Sequence, residues 1–124
     1  MSRVLIIDDS PTLIASLSET LVSAGYEVDS LSSFLDLPDK VRNNPPHLIL
    51  LDLDMPMMPG RRAAEYIRKY QEQPIPILIH SSAPPEELIE ATKTAGAQGF
   101  LPKGSAKADL LRKIATTIEA GSIL

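Results

Sequence analysis

Two continuous apolar runs, each ending in carboxylates, constrain this chain more than any other feature. "RVLIIDDSP" (residues 3–11) carries Val4–Ile7 into Asp8 and Asp9, and "LILLDLDMP" (48–56) carries Leu48–Leu51 into Asp52 and Asp54. Runs of this length read as strands, and their lack of alternation requires both faces to be covered, as in a parallel sheet between helical layers. "ILI" (77–79) and "FL" (100–101) repeat the pattern, whereas "YEVDSL" (26–31) alternates, as an edge strand does. The expected strands are Arg3–Asp8, Tyr26–Leu31, His47–Asp52, Pro76–Ser81 and Gly99–Pro102.

Helix signals lie between them. Ser10 before Pro11 is an N-cap with proline at the first helical position, and Gly25 is the stop. Leu13, Leu17, Leu21 and Val22 form that helix's apolar face. Asp36–Asn43 reads as a short helix with Pro38 in its first turn. Arg61–Gln71 and Pro85–Thr94 follow, the latter closed by Gly96. Ser105 is the expected cap of a last helix that stops at Gly121, with Leu110, Leu111, Ile114 and Ile118 facing inward. Five strands interleaved with five helices specify a doubly wound parallel α/β fold, and residues 1–124 read as one domain.

Composition narrows the chemistry. Cysteine is absent, which excludes disulfides and thiolate metal sites. The net charge is -4 with no Lys/Arg stripe, against direct nucleic-acid binding. No apolar run approaches the roughly 20 residues of a membrane span. No signal-peptide layout is seen, so a cytoplasmic protein is the expectation.

In an open parallel sheet, ligands bind beyond the carboxyl ends of the strands, where strand order reverses. Asp8, Asp9, Asp52, Ser81, Ser82 and Lys103 all fall at such ends. Carboxylates about 4 Å apart repel by roughly 4 kcal/mol at an effective dielectric of 20, so a cluster of them shifts its pKa values or recruits a cation. Without cysteine or a nearby histidine, a hard cation such as Mg²⁺ is the natural guest. Lys103 adds a charge suited to a phosphate oxygen. Cation, lysine, hydroxyl and nucleophilic carboxylate together suit phosphoryl transfer onto Asp.

With "DD" (8–9), "LLDLDMPMMPG" (50–60), "SSA" (81–83) and "GAQGFLPK" (96–103) in this order, the chain resembles a response-regulator receiver domain, the phosphoacceptor module of two-component signalling. The resemblance spans nearly the whole length and implies a flavodoxin-like strand order, 2-1-3-4-5. It also implies roles. Asp52 would be the phosphorylated residue. Asp8, Asp9, Asp52 and the backbone carbonyl of Asp54 would bind Mg²⁺. Ser82, with Ser81 as the alternative one residue away, would contact the phosphoryl group. Lys103 would pair with it, and Phe100 would be the aromatic switch. The donor would be a sensor histidine kinase or histidine phosphotransfer protein. An output domain or target would be met through the face of the fourth helix, fifth strand and fifth helix, a face that also suits homodimerisation. The protein would not be an enzyme beyond its own phosphorylation and dephosphorylation. The family often has proline after the lysine, where this chain has Gly104.

Two other functions compete. "LLDLD" fits the nucleophile motif of haloacid-dehalogenase-type phosphatases, but it lies on the third strand and no later acidic pair follows Lys103. A receiver-like interaction module not controlled by phosphorylation would be expected to lack an acid or the lysine, and none is missing. His80, inside a strand with no partner at ligand spacing, reads as a structural histidine with its hydrogen bonds satisfied. His47 reads as a strand start, Arg61 and Arg62 as a solvated helix start, and Met55, Met57 and Met58 as loop and packing.

Overall fold

A computed structural model describes residues 2–33, 36–53, 69 and 75–122. The apolar runs become β1 (Arg3–Ile7), β3 (Leu48–Asp52), β4 (Ile77–Ser81) and β5 (Gly99–Pro102), and the alternating segment becomes β2 (Glu27–Leu31). All pair in parallel, in the order β2-β1-β3-β4-β5. The described helices are α1 (Pro11–Ser23), α2 (Leu37–Asn43), α3 (Pro85–Ala95) and α4 (Lys107–Ser122). Apart from Lys69, the helix expected over Arg61–Gln71 lies outside the described residues, as do the Asp54 carbonyl, Met55, Met57, Met58, Arg61 and Arg62.

Strand alternation divides each apolar run between two cores. Leu5, Ile7, Ile49, Leu51, Ile77 and Ile79 pack with Leu37 and Val41 of α2 and Leu88 and Ala95 of α3. Val4, Ile6, Leu48, Leu50, Leu78 and Leu101 pack with Leu17 and Leu21 of α1 and Leu110 and Ile114 of α4. Each such side chain contributes about 1.5–3 kcal/mol on burial, so continuous runs are what a doubly covered sheet demands. Val22 departs from the expected α1 face and is 59% exposed.

The start of α1 matches its sequence signals: the Ser10 hydroxyl accepts the Leu13 N–H at 3.3 Å, with Pro11 at the first helical position. Gly96 closes α3 in the left-handed region at φ 66°. Two expectations at the last helix fail. Ser105 is not its cap, because its hydroxyl donates back to the Pro102 carbonyl at 2.6 Å and the helix begins at Lys107. Gly121 is not its stop, because α4 continues to Ser122. A Cβ at Gly121 would lie 3.0 Å from Pro76 Cγ, so glycine there permits a close approach of the helix to the start of β4.

At the β2 edge, Arg3 pairs with Glu27 (2.7 Å) and Asp29 (3.7 Å), and Lys40 reaches Asp29 (3.7 Å). These exposed pairs add little stability, but charges discourage strand addition at an open edge. His47 sits just before β3, where its Nδ1 accepts the Arg3 N–H at 2.9 Å. Among the described residues no helix is long and apolar enough to cross a membrane.

Candidate functional site

The strand order reverses between β1 and β3, and the acids stand at the carboxyl ends of those two strands. Asp8 follows β1, and its N–H continues the ladder by donating to the Leu31 carbonyl at 3.1 Å. Asp52 is the last residue of β3. Both point to the α1/α4 side by alternation from Ile6 and Leu50. Asp8 and Asp52 are 1% and 2% exposed, whereas Asp9 is exposed. One carboxylate oxygen from each of the three lies within 4.8 Å of the others.

A lysine stands over the two buried acids. Lys103 Nζ is 3.2 Å from Asp52 Oδ1 and 3.5 Å from Asp8 Oδ2. Its backbone is held by an N–H donated to the Ser81 carbonyl at 2.8 Å, and Gly104 turns the chain away at φ 87°. Burial alone would lower the ammonium's pKa, but the charges of Asp52 and then Asp8 outweigh it and raise the value. Asp8 divides its two oxygens: Oδ1 accepts the Ser10 N–H at 2.9 Å and Oδ2 faces Lys103. It therefore serves the start of α1 and the crevice together.

All three acids offer oxygen, the donor type of hard divalent cations, and two of them are withdrawn from water. Two buried carboxylates with one lysine carry a residual negative charge. The set fits Mg²⁺ held by Asp8, Asp9 and Asp52.

Ser81 ends β4 fully buried, and its hydroxyl accepts the Ala83 N–H at 3.1 Å. Ser82 lies just past the strand and is exposed. Phe100, in register with Ile79, is partly buried against the α2/α3 core.

His80 is where reasoning from sequence missed a neighbour of the site. In register it lies beside Asp52 on one side and Leu101 on the other, and alternation from Leu78 turns it to the face of Asp8 and Asp52. It is 5% exposed, and its ring makes no hydrogen bond among the described residues, so the expectation of satisfied hydrogen bonds is not met. Burial first, and the Lys103 charge second, hold its pKa below the ordinary value, with Asp8 and Asp52 opposing. The available signal was parity: His80 is two residues from Leu78, on a strand whose end meets Asp52.

A response-regulator receiver domain model matches residues 4–115. The chain is 30% identical over 112 residues to response regulator MprA of Mycobacterium sp. (strain KMS), covering 90% of this chain and 48% of that protein, so it spans about half that relative's length. It is 30% identical over 120 residues to chemotaxis protein CheY of Treponema pallidum, covering 94% and 83%. The structure of Vibrio cholerae chemotaxis protein CheY4 superposes with a TM-score of 0.84 at 29% identity, over 94% of this chain and 98% of that one. An acidic crevice at the switch of a five-stranded parallel sheet and a family match over nearly the whole length agree: this chain belongs to the response-regulator receiver domain family.

Proposed function

We propose that residues 1–124 form a single receiver unit in which Asp52 accepts a phosphoryl group from the phosphohistidine of a sensor kinase or phosphotransfer protein. The observation that carries this reading is the convergence of Asp8, Asp9 and Asp52 within 4.8 Å, with Lys103 spanning Asp8 and Asp52. An Asp52 carboxylate oxygen forms the new O–P bond as the donor's N–P bond breaks, and the donor imidazole departs with the electron pair. Bound Mg²⁺ supplies positive charge to the phosphoryl oxygens. Asp8, Asp9 and Asp52 would hold that cation. Lys103 pairs with a phosphoryl oxygen, a charge-assisted contact that needs no covalent role. Phosphorylation turns a single carboxylate charge into nearly -2. That change draws in the Ser82 hydroxyl, Ser81 being the alternative, and Phe100 follows.

The resulting population shift is read by an output domain or target protein at the face of α3, β5 and α4, where a second copy can also dock. The reading places the protein in the cytoplasm, where kinase and Mg²⁺ are found. Incubation with Mg²⁺ and a small phosphodonor should add one phosphoryl group, located by mass spectrometry. Asp52→Asn should abolish it. Labelling that survives this substitution, or that is indifferent to Mg²⁺, rejects the assignment.

A further inference from the structure

The imidazole of His80 is a buried polar group that phosphoryl transfer onto Asp52 does not use. Buried polar groups without a partner are rare, and each calls for an explanation. Three observations bear on this one. It is 5% exposed and has no ring hydrogen bond among the described residues. Register sets it one strand from Asp52, about 4.8 Å away along the hydrogen-bonding direction, on the same face. Lys103 stands two residues beyond Leu101, the β5 partner of His80 in register, and so rises on the same face.

Lys103 occupies the oxygens that a divalent cation needs. Its ammonium lies on Asp8 Oδ2 and Asp52 Oδ1, two of the three carboxylates of the cation site. A bound cation repels the ammonium and takes these acceptors, so before a phosphoryl group arrives the ammonium needs another. A neutral imidazole offers one lone pair as an acceptor.

We propose that His80 is a positioning residue: its ring nitrogen receives the Lys103 ammonium when a divalent cation occupies the acidic crevice, which makes cation loading easier. At the pH 8 of the test below an imidazole of ordinary pKa, about 6.5, is neutral, as this role requires. The proposal rests on the cation site assigned above and adds to it a residue that no metal touches.

Calorimetric titration of the purified protein with Mg²⁺ alone, at pH 8, tests it. A hydrogen bond to a charged donor that is lost in one state only corresponds to roughly a tenfold change in affinity. His80→Leu is therefore expected to weaken Mg²⁺ binding about tenfold, with His80→Met behaving alike and His80→Gln, which keeps an acceptor, restoring most of the affinity. In a Lys103→Met background, His80→Leu should leave the Mg²⁺ affinity unchanged. The ring and its apolar replacements are both uncharged, so a change in site charge does not mimic this pattern. Circular dichroism melts check that each variant is folded; if the apolar variants are not, the ¹⁵N shift of the His80 ring on Mg²⁺ addition decides the matter, expected in wild type and absent in Lys103→Met, and no shift in wild type overturns the proposal. Equal Mg²⁺ affinity in wild type and the folded apolar variants overturns the proposal. So does an equal loss with and without Lys103, or a His80→Gln variant as weak as His80→Leu. Wild-type protein that binds no Mg²⁺ instead overturns the cation site itself.

Discussion

Replacing Lys103 by Met removes the ammonium and keeps the aliphatic stem, which isolates one electrostatic relationship. At an effective dielectric of about 20, charges 3.2 and 3.5 Å apart attract by about 5 kcal/mol each, and carboxylate oxygens within 4.8 Å repel by at least about 3.5 kcal/mol. Much of the attraction is offset by dehydrating the ammonium. Lys103 keeps 26% of its side chain exposed, so the loss falls below the roughly 3–5 kcal/mol of breaking a fully buried pair. A net destabilisation of about 2–3 kcal/mol follows, or a fall in Tm of about 8–12 °C for a domain this size. The same ammonium competes with a divalent cation for the Asp8 and Asp52 oxygens. Relieving even about 2 kcal/mol of that competition tightens Mg²⁺ binding about thirtyfold. Thermal melts with EDTA and with millimolar Mg²⁺, paired with calorimetric titration, measure both effects. The variant should melt well below wild type in EDTA and close most of the gap in Mg²⁺. A Mg²⁺ affinity within twofold of wild type, or a deficit that Mg²⁺ leaves unchanged, would refute the reasoning that lysine and cation share these oxygens.

Further outcomes are expected. The folded His80 ring resists protonation, so below about pH 6.5 the unfolded state binds more protons and stability falls as pH drops through the lowered folded pKa. His80→Leu should therefore lose less stability than wild type between about pH 6.5 and 5 in urea titrations. The Lys103 pKa is raised, so its contribution is fully present below the ordinary value of 10.5 and is lost as pH climbs through the raised one. Wild type should thus lose its Tm advantage over Lys103→Met in strongly alkaline buffer. Gly104→Ala forces a side chain into φ 87° and should destabilise by about 1–2 kcal/mol, read from the shift in urea midpoint. Ser10→Ala removes an N-cap hydrogen bond of 3.3 Å and should cost about 0.5–1 kcal/mol in the same assay.

Much of the fold was legible because burial leaves a direct trace. Val4–Ile7 and Leu48–Leu51 serve two cores at once, so neither run can alternate, and parallel strands under two helical layers follow. Ser10, Pro11, Gly25 and Gly96 punctuate helices through local backbone rules and were legible for the same reason. The last helix departs from its local signals at both ends, for different reasons. The Ser105 hydroxyl turns back to the Pro102 carbonyl three residues earlier, a competing local contact, instead of capping, and Gly121 serves a tertiary approach to Pro76 instead of a stop. Helical spacing places Val22 at the margin of the inward face, and one residue, about 100°, past the buried Leu21 it is exposed. The acids and Lys103 were legible as a set because the switch of a parallel sheet gathers strand ends.

By itself, the order of residues determined the covalent order of strands and helices, the two-sided burial of the sheet, and which acids and which lysine reach its carboxyl edge. These are local or periodic properties, written in neighbouring side chains. Only the tertiary structure decided what depends on strand register and on distances between segments far apart in the chain. It set Asp8, Asp9 and Asp52 within 4.8 Å, laid Lys103 on two of their oxygens, and turned His80 from a core position into a neighbour of Asp52. The physical reason is that Coulomb energies and hydrogen bonds act over a few ångströms, and sequence separation carries no information at that scale until the strands have paired.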